Sequence, residues 1–286
     1  MQTLLYILLF ILLAPFLGGL LCGIDRKVAA RMQRRVGPPL LQPFYDIIKL
    51  YGKENLVVNL YQNLYLAGFL IFMIIAGSIF FAGGDILLMI FAFALSSIFL
   101  VLGAASATSP YSHIGAEREL IQIMACEPML LIAAMGLYLP AGSFMVADIA
   151  AFDRPMFLFL PAILFGLLYI LTIKLRKSPF DLSMSHHAHQ EIVKGVTTEF
   201  SGPALAIIEI THWYETVLIL GFVYLFFAWN PWIALPATFL LFLAETLVDN
   251  TNARLKWRFT LTSSWIVAAA GALNLILLFY LLKAGI

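Results

Sequence analysis

Two short arrays of ionisable residues interrupt stretches that are otherwise apolar. Glu119 and Glu127 lie eight residues apart, and Glu209, His212 and Glu215 follow one another at steps of three. On a helix the first two share a face, and neighbours in the second set come within side-chain reach, although its ends drift apart by about 240°. A carboxyl group in hydrocarbon surroundings escapes much of its desolvation cost by binding a proton. Carboxylate and imidazole in alternation can therefore hand protons along a helix. Hydrogen bonding between helices, or pairing for stability alone, would use the same residue types, and spacing does not separate the two readings.

The most polar stretch runs from Leu175 to Gly202. It carries Asp181, then Glu191 and Glu199, again eight residues apart, and the run His186-His187-Ala188-His189. Pro179 disfavours helical geometry in the residue before it, so a loop is expected here. Imidazoles suit zinc or nickel, but no fourth ligand is expected nearby, and a pH-sensitive contact surface fits the run better. A solvated connector is the plain alternative. Glu245 and Asp249, four apart, read as a wet rim that pairs with Arg254 or Lys256.

These groups must be held by elements suited to lipid. The 286 residues are 62% hydrophobic and only 12% charged, with a mean hydropathy of +0.96, which marks an integral membrane protein. A net charge of +1 leaves no basic surplus for phosphates, so a nucleic-acid partner is excluded. Cys22 and Cys126 stand far apart in apolar stretches, and neither a disulfide nor an iron–sulfur or zinc site is expected in this chain.

Apolar stretches of spanning length run over residues 4–22, 62–82, 86–105, 120–140, 156–173, 203–229, 232–249 and 262–282, which predicts an all-α protein of eight transmembrane helices in one domain, 1–286. The first could imitate a signal peptide, but no Lys or Arg precedes it, so a retained helix is expected. Gly83-Gly84-Asp85 and Asn230-Pro231 are the turn signals that part closely spaced spans. With both termini outside, fifteen of the 17 Lys and Arg residues fall in cytoplasmic segments, as the positive-inside rule requires. A multi-pass protein of the cell membrane is expected, with its large polar segments, 24–60 and 174–202, in the cytoplasm.

In the first of these segments Gln42, Asp46, Lys49 and Lys53 recur at helical spacing opposite Leu41, Phe44, Tyr45, Ile48 and Tyr51. This predicts an amphipathic helix on the membrane surface, with Pro43 in its first turn. Arg35-Val36-Gly37-Pro38, followed by Leu41-Gln42-Pro43, Asp46, Lys49-Leu50 and Lys53-Glu54, resembles the first cytoplasmic segment of subunit 1 of respiratory complex I. That family includes the membrane subunits of energy-converting [NiFe] hydrogenases and formate hydrogenlyase. Gly115-Ala116, Arg118-Glu119, Glu127-Pro128, Pro179-Phe180-Asp181-Leu182, Glu191 and Thr198-Glu199-Phe200-Ser201-Gly202 extend the resemblance.

Two departures point within the family. The interval between Gly37-Pro38 and Leu41-Gln42-Pro43 is shorter than in complex I, and histidines stand where complex I has an acidic run. Both are similar to the B subunit of the six-subunit, ferredoxin-dependent energy-converting hydrogenases. The resemblance implies a membrane-anchoring subunit of a ferredoxin hydrogenase complex that couples hydrogen evolution to movement of protons or sodium ions. It implies no cofactor in this chain, with the [NiFe] centre and [4Fe-4S] clusters on partners. Those partners would be the hydrogenase large and small subunits, an iron–sulfur subunit and an antiporter-like membrane subunit, with ferredoxin reaching the assembly. Glu191 and Glu199 would receive the signal from the redox module, and Glu119, Glu127, Glu209, His212 and Glu215 would relay it. Arg35, Asp46, Lys49, Lys53, Glu54, Asp181, His186, His187 and His189 would form the docking and coupling surface. The rivals are a quinone-reducing complex I subunit and a stand-alone secondary transporter; the latter would show inverted repeats, and no convincing pair is present.

Overall fold

The computed structural model describes residues 2–56, 59–183 and 194–283. Among these the regular structure is helical, and an isolated β-bridge joins Asp85 to Met145. The helices are α1 (Gln2–Met32), α2 (Gln42–Tyr51), α3 (Leu60–Phe81), α4 (Ile86–Ala105), α5 (Pro110–Ala141), α6 (Val146–Ala150), α7 (Met156–Phe159), α8 (Pro161–Lys174), α9 (Gly202–Tyr224), α10 (Pro231–Thr251) and α11 (Trp257–Lys283).

The turn signals act through helix ends. The Asp85 carboxylate accepts from Leu87 N at 2.7 Å and Leu88 N at 3.1 Å, starting α4. Asn230 accepts from Trp232 N at 3.0 Å, with Pro231 in the first turn of α10, where its missing N–H costs nothing. Gly142 ends α5 in a left-handed conformation, its N–H bonding the Tyr138 carbonyl at 2.7 Å.

Among the described residues, seven helices are long and apolar enough to cross a membrane, against the eight expected. The difference lies at 156–173. Pro161 has no N–H to continue a helix from the preceding turn, and Leu160 adopts φ −126°, ψ 46°, so the stretch divides into α7 and α8. The 14 residues of α8 rise only about 21 Å, short of a hydrocarbon core of about 30 Å. At the other end of the molecule α1 continues through Met32, so Asp25 and Arg26 sit on a helix rather than in a linker.

Helices gain little hydrophobic drive from one another inside lipid, so close backbone approach and polar contacts hold them together. The crossing of α1 and α9 shows the first device: a Cβ on Gly18 would stand 2.5 Å from the Trp213 carbonyl oxygen. α9 is the central element, 61% of its most apolar stretch being buried within the protein, against 22% for α11. α2 is helical where expected and seats Phe44 edge-on against Trp213 at 5.2 Å. Tyr45, Ile48 and Tyr51 remain exposed, forming an uncovered apolar face.

Candidate functional site: a buried guanidinium between two carboxylates

Because α8 is short, the chain that follows it runs through the interior. Lys174, Arg176, Lys177, Ser178, Asp181 and Ser183 are all buried. Arg176, held at φ +52°, directs its guanidinium between α5 and α9. It donates to Glu119 Oε1 at 2.9 Å, to Glu215 Oε2 at 3.1 Å, and lies 2.9 Å from His212 Nδ1. His212 Nδ1 is also 2.9 Å from Glu215 Oε2. Burial by itself would lower the Arg176 pKa, but the charges of Glu119 and Glu215 outweigh it and raise that pKa above its ordinary value.

This geometry is exclusive at the imidazole. If Nδ1 accepts from Arg176 it carries no proton, and if it donates to Glu215 it cannot accept. His212 Nε2 is buried with no hydrogen-bond partner among the described residues. One guanidinium against two carboxylates leaves the cluster one negative charge in excess, which a proton on the imidazole or a carboxyl would cancel. The arrangement can thus hold or release one proton with a change of hydrogen-bond direction and no movement of backbone.

A second set of pairs fixes the same interior segment. Lys177 Nζ donates to Asp25 Oδ1 at 2.5 Å and to Thr246 Oγ1 at 3.0 Å, joining it to α1 and α10. Ser178 N donates to Asp249 Oδ1 at 2.7 Å, and Arg254 Nε to Asp181 Oδ1 at 3.1 Å. Burial pushes the Asp181 carboxyl up, against the opposing pull of Arg254. Gln122 and Arg118 donate to the carbonyls of Phe180 and Leu182 at 2.5 and 3.2 Å. Beside these groups opens a cavity of about 540 Å³ lined by α1, α9, α10 and the interior segment, with Asp25, Arg26, Arg35, Glu209, His212 and Glu215 in its wall.

Of the carboxylates marked in the sequence, Glu119 and Glu215 meet at Arg176 with His212. Glu209 lines the cavity without joining them. Glu127 is half-buried on α5 and makes no ion pair among the described residues. Glu199 is half-buried before α9, its carbonyl accepting from Gln62 at 3.3 Å. Glu191, His186, His187 and His189 lie outside the described residues. Glu245 is buried, not at a wet rim, and accepts from Thr172 Oγ1 at 2.7 Å, while Arg254 pairs with Asp181. Asp181 is therefore an interior residue rather than a surface one.

The remaining surface candidates sit on or beside α2. Asp46 pairs with Arg26 at 2.6 Å, and Lys49, Lys53 and Glu54 are exposed. Arg35 bonds Gln33, whose amide reaches Asn250 on α10 at 3.0 Å. Leu56 N donates to Ser201 Oγ at 3.0 Å, tying the first polar segment to the start of α9. Arg176, Lys177, Lys174 and Asp25 were not marked as site residues by the sequence; the available signal for Asp25 was a carboxylate closing an apolar span. Among the described residues no group of three or more His, Cys, Asp or Glu side chains is placed to hold a metal ion.

Known proteins resemble this chain over most of its length. Hydrogenase-4 component C of Escherichia coli strain K12 is 31% identical over 205 residues, covering 66% of this chain and 64% of that protein. Formate hydrogenlyase subunit 4 of the same organism is 27% identical over 92% of this chain and 95% of its own length. The H subunit of the NADH-quinone oxidoreductase of Thermomicrobium roseum is 30% identical over 69% of each. A chain of the membrane-bound sulfane sulfur reductase, an archaeal respiratory membrane complex, superposes with a TM-score of 0.82 at 25% identity over 97% of this chain and all of that one. These relatives are parts of hydrogenase, formate hydrogenlyase, NADH-quinone oxidoreductase and respiratory membrane complexes, and this chain is a multi-pass membrane protein. The NADH dehydrogenase family model matches residues 4–280, and the chain belongs to that family.

Proposed function

We propose that this chain is the membrane-anchoring, ion-path subunit of a ferredoxin-dependent energy-converting [NiFe] hydrogenase, coupling proton reduction to outward movement of protons or sodium ions. The observation that carries the reading is the buried Arg176 held between Glu119 and Glu215 with His212 beside them. Such a cluster stores a charge imbalance at the inner end of the helices, where a redox partner could act on it. The exposed apolar face of α2 with Lys49, Lys53 and Glu54 would receive the hydrogenase large and small subunits and the iron–sulfur subunit. Exposed faces of the outer helices would meet lipid and an antiporter-like membrane subunit. In this reading α7 and α8 together make an eighth crossing, both termini lie outside, and Glu127, Glu199 and Glu209 flank the relay. The metal centres belong to the partners.

The test is the purified complex in sealed vesicles. Glu215→Gln is expected to keep hydrogen evolution from an artificial electron donor and to abolish ion uptake coupled to it. Uptake at the wild-type rate would remove the relay.

A second reading is favoured by the cavity of about 540 Å³ together with the likeness to a membrane subunit of NADH-quinone oxidoreductase: reduction of a quinone beside Trp213 and Phe242. Quinone and inhibitors of quinone sites would then bind the complex and protect Cys22, in the cavity wall, from alkylation. Co-purification of nickel and iron–sulfur protein, with no such protection, is expected on the first reading.

A further inference from the structure

A second, much smaller chamber lies against the cluster. It measures about 10 Å³ and is lined by Glu119, Gln122, Ile123, Ile173, Lys174 and Arg176. That is about the volume one water molecule requires. Glu119 is 5% exposed, and its Oε2 is buried with no hydrogen-bond partner among the described residues. Lys174 is 9% exposed. Its Nζ donates to Ser97 Oγ at a long 3.4 Å and sits 4.3 Å from the centre of the Phe93 ring. No carboxylate among the described residues comes within ion-pair distance of it. An ammonium has three donors, and burying one with a single long hydrogen bond and a ring face is costly.

Glu119 and Lys174 both line the chamber. Beyond the Ser183 hydroxyl beside it, Glu119 has no further donor for Oε2, Lys174 Nζ has donors left over after Ser97, and the ammonium lies near the excess negative charge of the Arg176 cluster. We propose that the chamber holds one ordered water, accepting from Lys174 Nζ and donating to Glu119 Oε2. The Gln122 amide donates to the Phe180 carbonyl at 2.5 Å, leaving its oxygen for the second proton of that water. A metal cation is disfavoured, because two cationic side chains share the wall. The water makes Lys174 the fourth charged member of the cluster. It carries the hydrogen-bonded network from α5 and α9 to α8 and, through Ser97, to α4. The water stands on geometry alone; any part of Lys174 in ion movement rests on the function proposed above.

A density map of the whole complex that resolves buried waters tests it. The expected result is a peak within hydrogen-bond distance of both Glu119 Oε2 and Lys174 Nζ, lost in Lys174→Met and kept in Lys174→Gln, with the Arg176–Glu119 pair unchanged in each. An empty chamber in a map that shows other interior waters would overturn the proposal. So would a peak unmoved by Lys174→Met, or one giving an anomalous signal after exchange into rubidium. The wild-type map decides occupancy even if a variant fails to assemble. Because the readout is density rather than ion uptake, the water and the coupling function fail separately.

Discussion

The two ends of the helix bundle are built by different rules. At the end where α8 stops, Glu119, Arg176, Lys177, Asp181 and Glu215 are buried and each is held in an ion pair of 2.5 to 3.1 Å, Lys177 with Asp25 and Asp181 with Arg254. At the other end the interior is hydrocarbon: Phe10 stacks on Phe81 at 4.9 Å and Tyr138 on Phe144 at 4.2 Å, while Asp85 and Asn230 serve as helix caps. Close packing with neutral hydrogen bonds can hold helices in lipid, so buried ion pairs at the polar end cost more than the fold requires. Buried ion pairs are weak evidence for stability, since desolvation offsets much of their attraction. Their concentration at one end is evidence that they are kept for what they do.

Substitutions that remove one partner at the polar end should therefore hurt most. Arg176→Met strands two buried carboxylates and is expected to cost about 3 to 5 kcal/mol, read as a fall in the thermal midpoint of the detergent-solubilised protein. Adding Glu119→Gln and Glu215→Gln to that variant should recover much of the loss, because the stranded charges disappear with their partner. Next comes Gly115→Ala on α5. Its Cβ would collide with the backbone of Val196, which donates to the Ser183 carbonyl at 3.0 Å, and overpacking of this kind costs about 1 to 3 kcal/mol. Faster proteolysis between residues 183 and 202 would report it.

At the apolar end, Ile163→Val on the buried face of α8 should cost about 0.5 to 1.5 kcal/mol and leave ion uptake untouched. Smallest of all is Asp46→Asn. Its pair with Arg26 is 40% and 41% exposed, and exposed pairs contribute about 0.2 to 1 kcal/mol. Should Ile163→Val and Arg176→Met prove equally destabilising, the contrast between the two ends would be lost.

How much of this was legible in the sequence follows from the same contrast. Glu119, His212 and Glu215 stood out because charge is rare in apolar stretches, and they are the three that meet. Arg176 did not, because a basic residue just past an apolar stretch reads as an orientation signal at the membrane surface. Only the break at Leu160–Pro161, which leaves α8 at 14 residues, shows that the following segment runs inside. The same break explains why eight spans were expected and seven helices of full length are found among the described residues. Glu245 was misread for a related reason: spacing places it four residues from Asp249, but its partner, Thr172, is 73 residues away. Contacts of that range leave no local signature. Helix limits set by Asp85, Asn230 and Gly142 were readable because capping is a local event.

The central claim is that the two-sided grip of Arg176 on Glu119 and Glu215 links a redox partner to ion movement. Arg176→Lys tests it most directly, since it keeps the charge and removes the fork that reaches both carboxylates. Ions taken up per hydrogen molecule evolved should be measured in vesicles carrying the intact complex. A marked fall in that ratio, with hydrogen evolution preserved, is the predicted result; a ratio equal to the wild type would contradict the account.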